Sequence, residues 1–304
     1  MNFVIKILSK IYNACGLYKI KIRYKIKKHL PNSSRKELKR IYKDYLQERE
    51  FGFTINEYFA YGFPSFDNNK RREFISDLER IKLCDAFNLK ENKIIFDDKS
   101  LTYKYFKDFY KRDVMFVKDE NDKDSFIQFV SKHHIIIVKP VDGSFGCGIQ
   151  KFEVDDKEKA FAEILKMCKH TSKLCVVEEV MENVKEFGEF HSQSLNTIRI
   201  CTIRMDDRVE IIAPFARIGV GNSIVDNAGS GGIIGSIDIA TGKIFAAGNE
   251  FGEKISYHPD SNKEIIGFAI PRWDEVINIA KQCAQVIPTN RYVGWDFALP
   301  IKDG

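Results

Sequence analysis

The sequence predicts an α+β protein, two α+β lobes preceded by a mainly helical, basic N-terminal region. Three observations carry that expectation. Helical spacing dominates the first 90 residues, short β-branched runs alternate with helix-length segments from residue 93, and strand-length runs joined by tight turns follow from residue 197. At 304 residues, 44% hydrophobic and 12% aromatic, the chain has enough apolar mass for two or three substructures around a sizeable core, which excludes a disordered chain. Seven cysteines (Cys15, Cys84, Cys147, Cys168, Cys175, Cys201 and Cys283) are scattered without a C-x-x-C pair. This odd set argues for reduced thiols in a cytoplasmic protein. The expected divisions are 1–50 (basic arm and helix), 51–92 (helical region), 93–175 (first lobe) and 176–304 (second lobe).

The net charge of +5 is unevenly placed: residues 1–49 contain fourteen Lys or Arg against Glu37, Asp44 and Glu48. The opening MNFVIKIL is broken by Lys6 and is too short for a membrane span or a signal core. In KIKIRYKIKKHL, Ile20, Ile22, Tyr24 and Ile26 alternate with basic residues. That suits a strand, or less regularly a helix, lying on an anionic surface; a solvated basic face packed on its own domain is the other reading. Nothing resembles a nucleic-acid reading module. Ser33 and Ser34 cap a helix over 35–50 with Leu38, Ile41, Tyr42 and Tyr45 on one side. A short helix capped near Thr54 ends at Gly62 and Pro64, and its aromatic neighbours (Phe51, Phe53, Tyr58, Phe59, Tyr61, Phe63, Phe66) build a local core. A further helix is expected over 70–83 with Phe74, Ile75, Leu78 and Ile81 inward.

From Lys93 the pattern changes to a strand over Ile94–Phe96, a helix in SLTYKYFKDFYKR, a strand over Val114–Val117 and a helix over 123–131. The run IIIVKPVDGSFGCGIQKF then places a buried strand before Lys139 and Pro140, a loop with Gly143, Gly146 and Gly148, and a second strand over Ile149–Val154. Glycines let backbone N–H groups approach a ligand, so this hairpin reads either as a lid over phosphates or as an ordinary flexible turn. Cys147 lies in the loop, but no Cys-His arrangement is legible around it. A helix over 157–167 leads to a strand at 174–177 and the connector Glu178-Glu179-Val180-Met181, whose backbone groups suit an adenine edge. Strands at 197–205, 209–216, 233–239 and 243–248 follow, with turns at Asp206-Asp207 and Thr241-Gly242. Arg199 and Arg217 lie on or beside them, where a guanidinium serves as a two-point anion ligand or as half of a structural salt bridge.

DDKSLTYKYFKDF, IIIVKPVDGSFGCGI, VVEEVME, SLNTIRICTIR, FARIG, VDNAGSGGI and VGWDFAL occur in this order between about 97 and 299. In these segments the chain resembles the ATP-grasp superfamily, and within it the sugar-transfer-associated ATP-grasp proteins found beside bacterial polysaccharide genes. The resemblance implies an ATP-grasp fold whose two α+β lobes clamp ATP. It implies that Lys99 and Lys139 neutralise ATP phosphates under the loop of Asp142, Gly143, Ser144, Gly146 and Gly148. Glu178, Glu179, Val180 and Met181 become the adenine hinge, and Arg199, Arg217 and Asn227 face the γ-phosphate and an anionic substrate group. Gly231 and Gly232 let their loop approach the reacting atoms, and Asp296 becomes a carboxylate ligand of Mg2+.

The resemblance also implies a further strand with a Glu-x-Asn metal motif, and this sequence stops before it at Lys302-Asp303-Gly304, as a truncated chain would. The helical residues 1–92 stand where an α/β domain commonly precedes the ATP-grasp lobes. The chemistry implied is an ATP-dependent carboxylate–amine ligation through an acyl phosphate. The sugar setting suggests an amino acid joined to a uronic acid or an amino sugar, in a cytoplasmic protein in peripheral contact with an anionic membrane or a glycosyltransferase. A sugar kinase and a non-catalytic nucleotide-binding partner of a glycosyltransferase are the competing classes. Asp226 and His191 lie near the reacting segments as general-base candidates, each also suited to a structural or turn-forming role.

Overall fold

The computed structural model describes residues 17–142, 148–170 and 174–301. Residues 1–16, the loop glycines Gly143 and Gly146 with Ser144 and Cys147, and the terminal Lys302-Asp303-Gly304 lie outside them. The chain divides into two units, Met1–Cys84 with Glu250–Glu253, and Asp85–Asn249 with Lys254–Gly304. Among the described residues no helix is long and apolar enough to cross a membrane.

The first unit is helical. It contains α1 (Leu17–His29), α2 (Arg35–Glu50), α3 (Ile55–Ala60), α4 (Asn68–Arg71) and most of α5 (Asp77–Phe87). KIKIRYKIKKHL is a helix and not a strand: Ile22 and Ile26, four apart, are buried against Ile41 and Tyr45 of α2, whereas Ile20 and Tyr24 face outward. The Ser34 hydroxyl accepts from Glu37 N–H at 3.2 Å, and Thr54 and Glu57 cap α3 reciprocally. Phe53, Tyr58 and Phe63 form the aromatic core, with Phe59, Tyr61 and Phe66 packed on it; Phe51 instead lies exposed under the Arg72 guanidinium.

The helix expected over 70–83 is broken. Ser76 N–H donates to Glu79 Oε2 at 2.9 Å and Glu79 N–H to Ser76 Oγ at 3.3 Å, so S-x-x-E starts a new helix and interrupts the apolar register. Phe74 stacks on Tyr61 and Phe66, but Ile75, Leu78 and Ile81 point to solvent. Beneath the aromatics, the buried Arg71 donates to Asp44, Glu48 and the Phe63 carbonyl, while Tyr58 donates to Asp44.

The second unit holds two antiparallel sheets. The helix α6 (Lys93–Asp97) replaces the strand expected at 94–96, because Ile95 and Phe96 pack against Phe106 and Trp295 while Ile94 is exposed. A three-residue apolar run fits either period, and packing decides it. After α7 (Lys99–Phe106) come β1 (Val114–Val117), α8 (Lys123–Lys132), β2 (Ile135–Pro140), β3 (Gln150–Glu153), α9 (Lys157–His170) and β4 (Cys175–Glu179), giving sheet order β1-β4-β2-β3. Ile136, Val138, Cys175 and Val177 point to a core with Phe126 and Val130 of α8 and Phe161 and Ile164 of α9. Strand alternation therefore sends Lys139 and Glu178 to the opposite face.

The short α10 (Lys185–Gly188) precedes the second sheet, which consists of β5 (Thr197–Arg204), β6 (Val209–Ile218), β7 (Ile233–Ile237), β8 (Ile244–Gly248) and β9 (Tyr292–Ala298), in the order β8-β7-β6-β5-β9. The amphipathic α11 (Trp273–Val286) covers one face through Trp273, Val276 and Ala280, against Ile198, Ile200 and Ala216. Arg199, Arg217 and Asp296 are left on the other face.

Arg71→Ala should lower the stability of the full chain in urea by about 3 kcal/mol, since it takes the ion-pair partner from Asp44 and one of two from Glu48, which keeps Arg72. A shift below about 1 kcal/mol would show that the network is not what holds the first unit.

Candidate functional site

Two polar clusters of the second unit gather the residues singled out from the sequence. In the first, Lys99 begins α7, whose Asp98 cap accepts from the N–H groups of Ser100 and Leu101 at 2.8 and 3.2 Å. Lys99 N–H donates to the Val141 carbonyl at 3.0 Å and Lys99 Nζ lies 3.3 Å from the same oxygen, which docks the helix start on the end of β2. Lys99 and Lys139, forty residues apart in sequence, thus become neighbours. Burial, and after it the positive charge of Lys139, draws Lys99 below the usual lysine range.

Lys139 Nζ reaches Glu178 Oε2 at 2.5 Å, and Arg112 NH2 reaches Glu178 Oε1 at 3.2 Å. Burial alone would raise the Glu178 carboxyl, but the Lys139 and Arg112 charges outweigh it and hold the group down to about 2. Arg112, which no sequence motif marked, lies over the Tyr110 ring at 4.7 Å with its Nε buried and, among the described residues, without a hydrogen-bond partner. Its only sequence signal is a lone arginine just before a strand. Asp142 is exposed at the start of the glycine loop, and Gly148 closes the described part of that loop with φ +77°, where a Cβ would sit 2.9 Å from the Pro140 ring.

The connector after β4 is fixed at one end. Glu179 N–H donates to the Asp113 carbonyl at 3.1 Å, which withdraws that donor from any ligand edge. Asp113 N–H donates to Glu179 Oε2 at 2.8 Å, and His133 Nε2 is 2.8 Å from Asp113 Oδ2, a clasp across the starts of β1 and β2 and the end of β4. Val180 and Met181 follow, both half-buried.

The second cluster centres on Asp296. β5 pairs with β9 so that Arg199 lies opposite Asp296, and Arg199 NH1 is 2.9 Å from both carboxylate oxygens. Arg217 NH2 approaches Asp296 Oδ1 at 3.2 Å, while its NH1 reaches Asn227 Oδ1 at 3.5 Å. Arg199, Arg217, Asn227 and Asp296 thus form one connected group. Gly294 makes room for it: a Cβ there would lie 2.7 Å from Arg199 NH2. Asp226 is buried and accepts from the Thr197 hydroxyl. Burial raises its carboxyl, the Thr197 bond and Arg217 offset this only in part, and the Asp296 charge adds to the rise.

In the loop before β7, Gly229 has open space, Gly231 needs its φ of +90°, and Gly232 has no space, since a Cβ would meet the Asp226 carbonyl at 2.4 Å. The buried His191 has both ring nitrogens engaged, by Ser194 Oγ at 2.9 Å and the Gly221 carbonyl at 2.8 Å.

Two variants probe these clusters. Glu178 has a depressed folded-state pKa, so its contribution is present above the unfolded carboxylate range and is lost as pH falls through about 2. Glu178→Gln should cost about 3 kcal/mol near neutral pH and converge with wild type in strong acid; a pH-independent gap would remove Glu178 as the anchor of Lys139. Gly294→Ala should push the Arg199 guanidinium off Asp296 while leaving the thermal midpoint nearly unchanged; a crystal structure of the variant with Arg199 still on Asp296 would show that the missing Cβ is not what makes room for the pair.

Residues 78–304 match the model of the family described as sugar-transfer associated ATP-grasp. No curated protein matches the chain. Among solved structures it is similar to D-alanyl-alanine synthetase A from Vibrio cholerae (11% identity, TM-score 0.45, covering 71% of this chain and 55% of that one). It is also similar to D-alanine-D-alanine ligase from Helicobacter pylori (12%, 0.45, 71% and 54%) and to the ATP-grasp ligase PsnB in complex with a minimal precursor (17%, 0.39, 70% and 51%). The chain spans about half the length of these structures. With three quarters of its residues matched by the family model, this chain belongs to the sugar-transfer associated ATP-grasp family.

Proposed function

We propose that this protein is an ATP-dependent carboxylate–amine ligase that joins an amino acid to a sugar, a uronic acid or an amino sugar, in bacterial surface polysaccharide synthesis. The observation that carries the reading is the convergence of Arg199, Arg217, Asn227 and Asp296 on the uncovered face of the second sheet. Two forked cations beside an amide and a carboxylate suit an anionic, phosphorylated reaction centre. Lys99 and Lys139 would bind the ATP phosphates beneath the loop that runs from Asp142 through Gly143, Ser144 and Gly146 to Gly148. Glu178 would hold Lys139 in place, and the Glu179 carbonyl with the backbone of Val180 and Met181 would receive the adenine. The setting fits a cytoplasmic protein at the inner face of the membrane beside a glycosyltransferase.

The substrate carboxylate would attack the γ-phosphorus, forming an acyl phosphate and releasing ADP. The amine would then attack the acyl carbon, and phosphate would leave as the amide forms. Phosphoryl transfer needs positioned cations more than covalent help, and loss of one such contact costs on the order of 3 kcal/mol. The donor chemistry of Asp296 suits magnesium, a hard ion that takes one or two carboxylates with phosphate oxygens and water, and the side chain is 41% exposed on its strand. Such an ion would supply charge neutralisation at the phosphates.

Arg217→Ala should lower turnover about 10²-fold while nucleotide binding changes little; the reverse pattern would move it out of the substrate pocket. Lys139→Ala should abolish protection by ATP against thermal unfolding, and retained protection would remove the first cluster from the nucleotide site. A screen of sugar acids, amino sugars and amino acids should show free phosphate appearing with ADP. ADP without free phosphate would identify a kinase, and ATP binding without turnover a binding partner.

A further inference from the structure

The helix α1 carries six Lys or Arg (Lys19, Lys21, Arg23, Lys25, Lys27, Lys28) and no acidic residue. One of its edges is spoken for by Ile22 and Ile26 in the core of the first unit. At about 100° per residue, Ile20 and Tyr24 fall on the side roughly opposite that edge. They are 64% and 71% exposed, an aliphatic and an aromatic side chain adjacent on the helix surface at i and i+4. Arg23 and Lys27 flank the pair on one side, Lys21 and Lys28 on the other. Among the described residues these cations meet neutral groups: Lys27 Nζ donates to the Pro31 carbonyl, Lys28 lies over the Phe251 ring and Arg23 over Tyr42. Those contacts orient the charges without cancelling them.

We propose that α1 docks the protein on a bilayer containing anionic phospholipid, with Ile20 and Tyr24 entering the head-group boundary and Lys21, Arg23, Lys27 and Lys28 meeting the lipid phosphates. Charge complementarity selects this occupant, and the apolar pair distinguishes it from a nucleic acid. A phosphate backbone alone would be met by cations without an aliphatic centre, whereas an interfacial helix presents both. Tyrosine suits the boundary because its ring is apolar and its hydroxyl remains wet. The inference rests on the membrane-side setting proposed above and not on the ligase chemistry.

The test is co-sedimentation of the full chain, without ATP, with vesicles of phosphatidylcholine alone and of phosphatidylcholine with phosphatidylglycerol. Binding should require phosphatidylglycerol and weaken with added salt. Lys21→Gln and Lys28→Gln should each reduce it about fivefold, and the double variant Ile20→Ser/Tyr24→Ser at least about tenfold. Both apolar positions are exposed, so an unchanged circular-dichroism melt is expected and establishes that the variant is folded. Equal binding to both vesicle types, no binding to either, or full binding by the folded double variant would each overturn the proposal. Binding to duplex RNA in place of vesicles would also overturn it and assign the face to nucleic acid. Phosphate release is read separately, so failure of the ligase reading leaves this outcome intact.

Discussion

A β-strand presents its side chains alternately to its two faces, and most of what is distinctive in the second unit follows from that constraint. Once Ile136 and Val138 turn toward α8 and α9, Lys139 must face the other way, and the same holds for Val177 and Glu178. In the second sheet, Ile198 and Ile200 turn toward α11, which leaves Arg199 on the uncovered face opposite Asp296. Each sheet thus turns one face to its apolar helices and gathers its charged residues on the other, where in the first sheet Tyr103 of α7 also packs on Phe116. The apolar packing that holds the fold together also sorts the charged groups onto the opposite faces.

Charges gathered on such a face must be balanced, and the two clusters balance in different ways. Glu178 is buried and sits between two cations, so its carboxylate is obliged to remain ionised and acts as a fixed post for Lys139. Asp296 is more exposed and is gripped by Arg199 and Arg217 from one side, with Asn227 as an outer neighbour. The first arrangement is fixed by burial: Glu178 has two cations, and losing either leaves a buried carboxylate with only one. The second is open to exchange because solvent can replace what leaves. The first cluster thus ends in a buried post beneath the lysines, and the second in a half-exposed carboxylate beside the arginines.

Much of this was legible in the chain. Val114–Val117, the Lys139 strand and the four strands from 197 onward declared themselves through β-branched runs and turn residues, and the motif order pointed to the family. Two elements were misread and a third was left open between strand and helix, each for a physical reason. The alternation in KIKIRYKIKKHL imitates a strand, but Ile22 and Ile26 also satisfy a helical spacing and the core of the first unit selects it. The helix expected over 70–83 ignored Ser76 and Glu79, whose reciprocal cap was present in the sequence as S-x-x-E. The run at 94–96 was too short to carry a period of its own. Arg112 was invisible because its partner Glu178 lies 66 positions away and no local pattern announces the pair. The link from Lys99 to Val141 is likewise a product of folding rather than spacing.

The AGSGG run before β7 illustrates a last point about how such a site can vary. Its three glycines look interchangeable on paper, yet they answer to different demands: Gly229 to none that the packing imposes, Gly231 to a left-handed backbone, and Gly232 to the carbonyl pressed against it. Sequence drift within this loop should accordingly be uneven, with small side chains accumulating at 229, asparagine the natural visitor at 231, and 232 kept as glycine throughout. A tight loop of this kind keeps a record of its geometry in which of its positions are free to change.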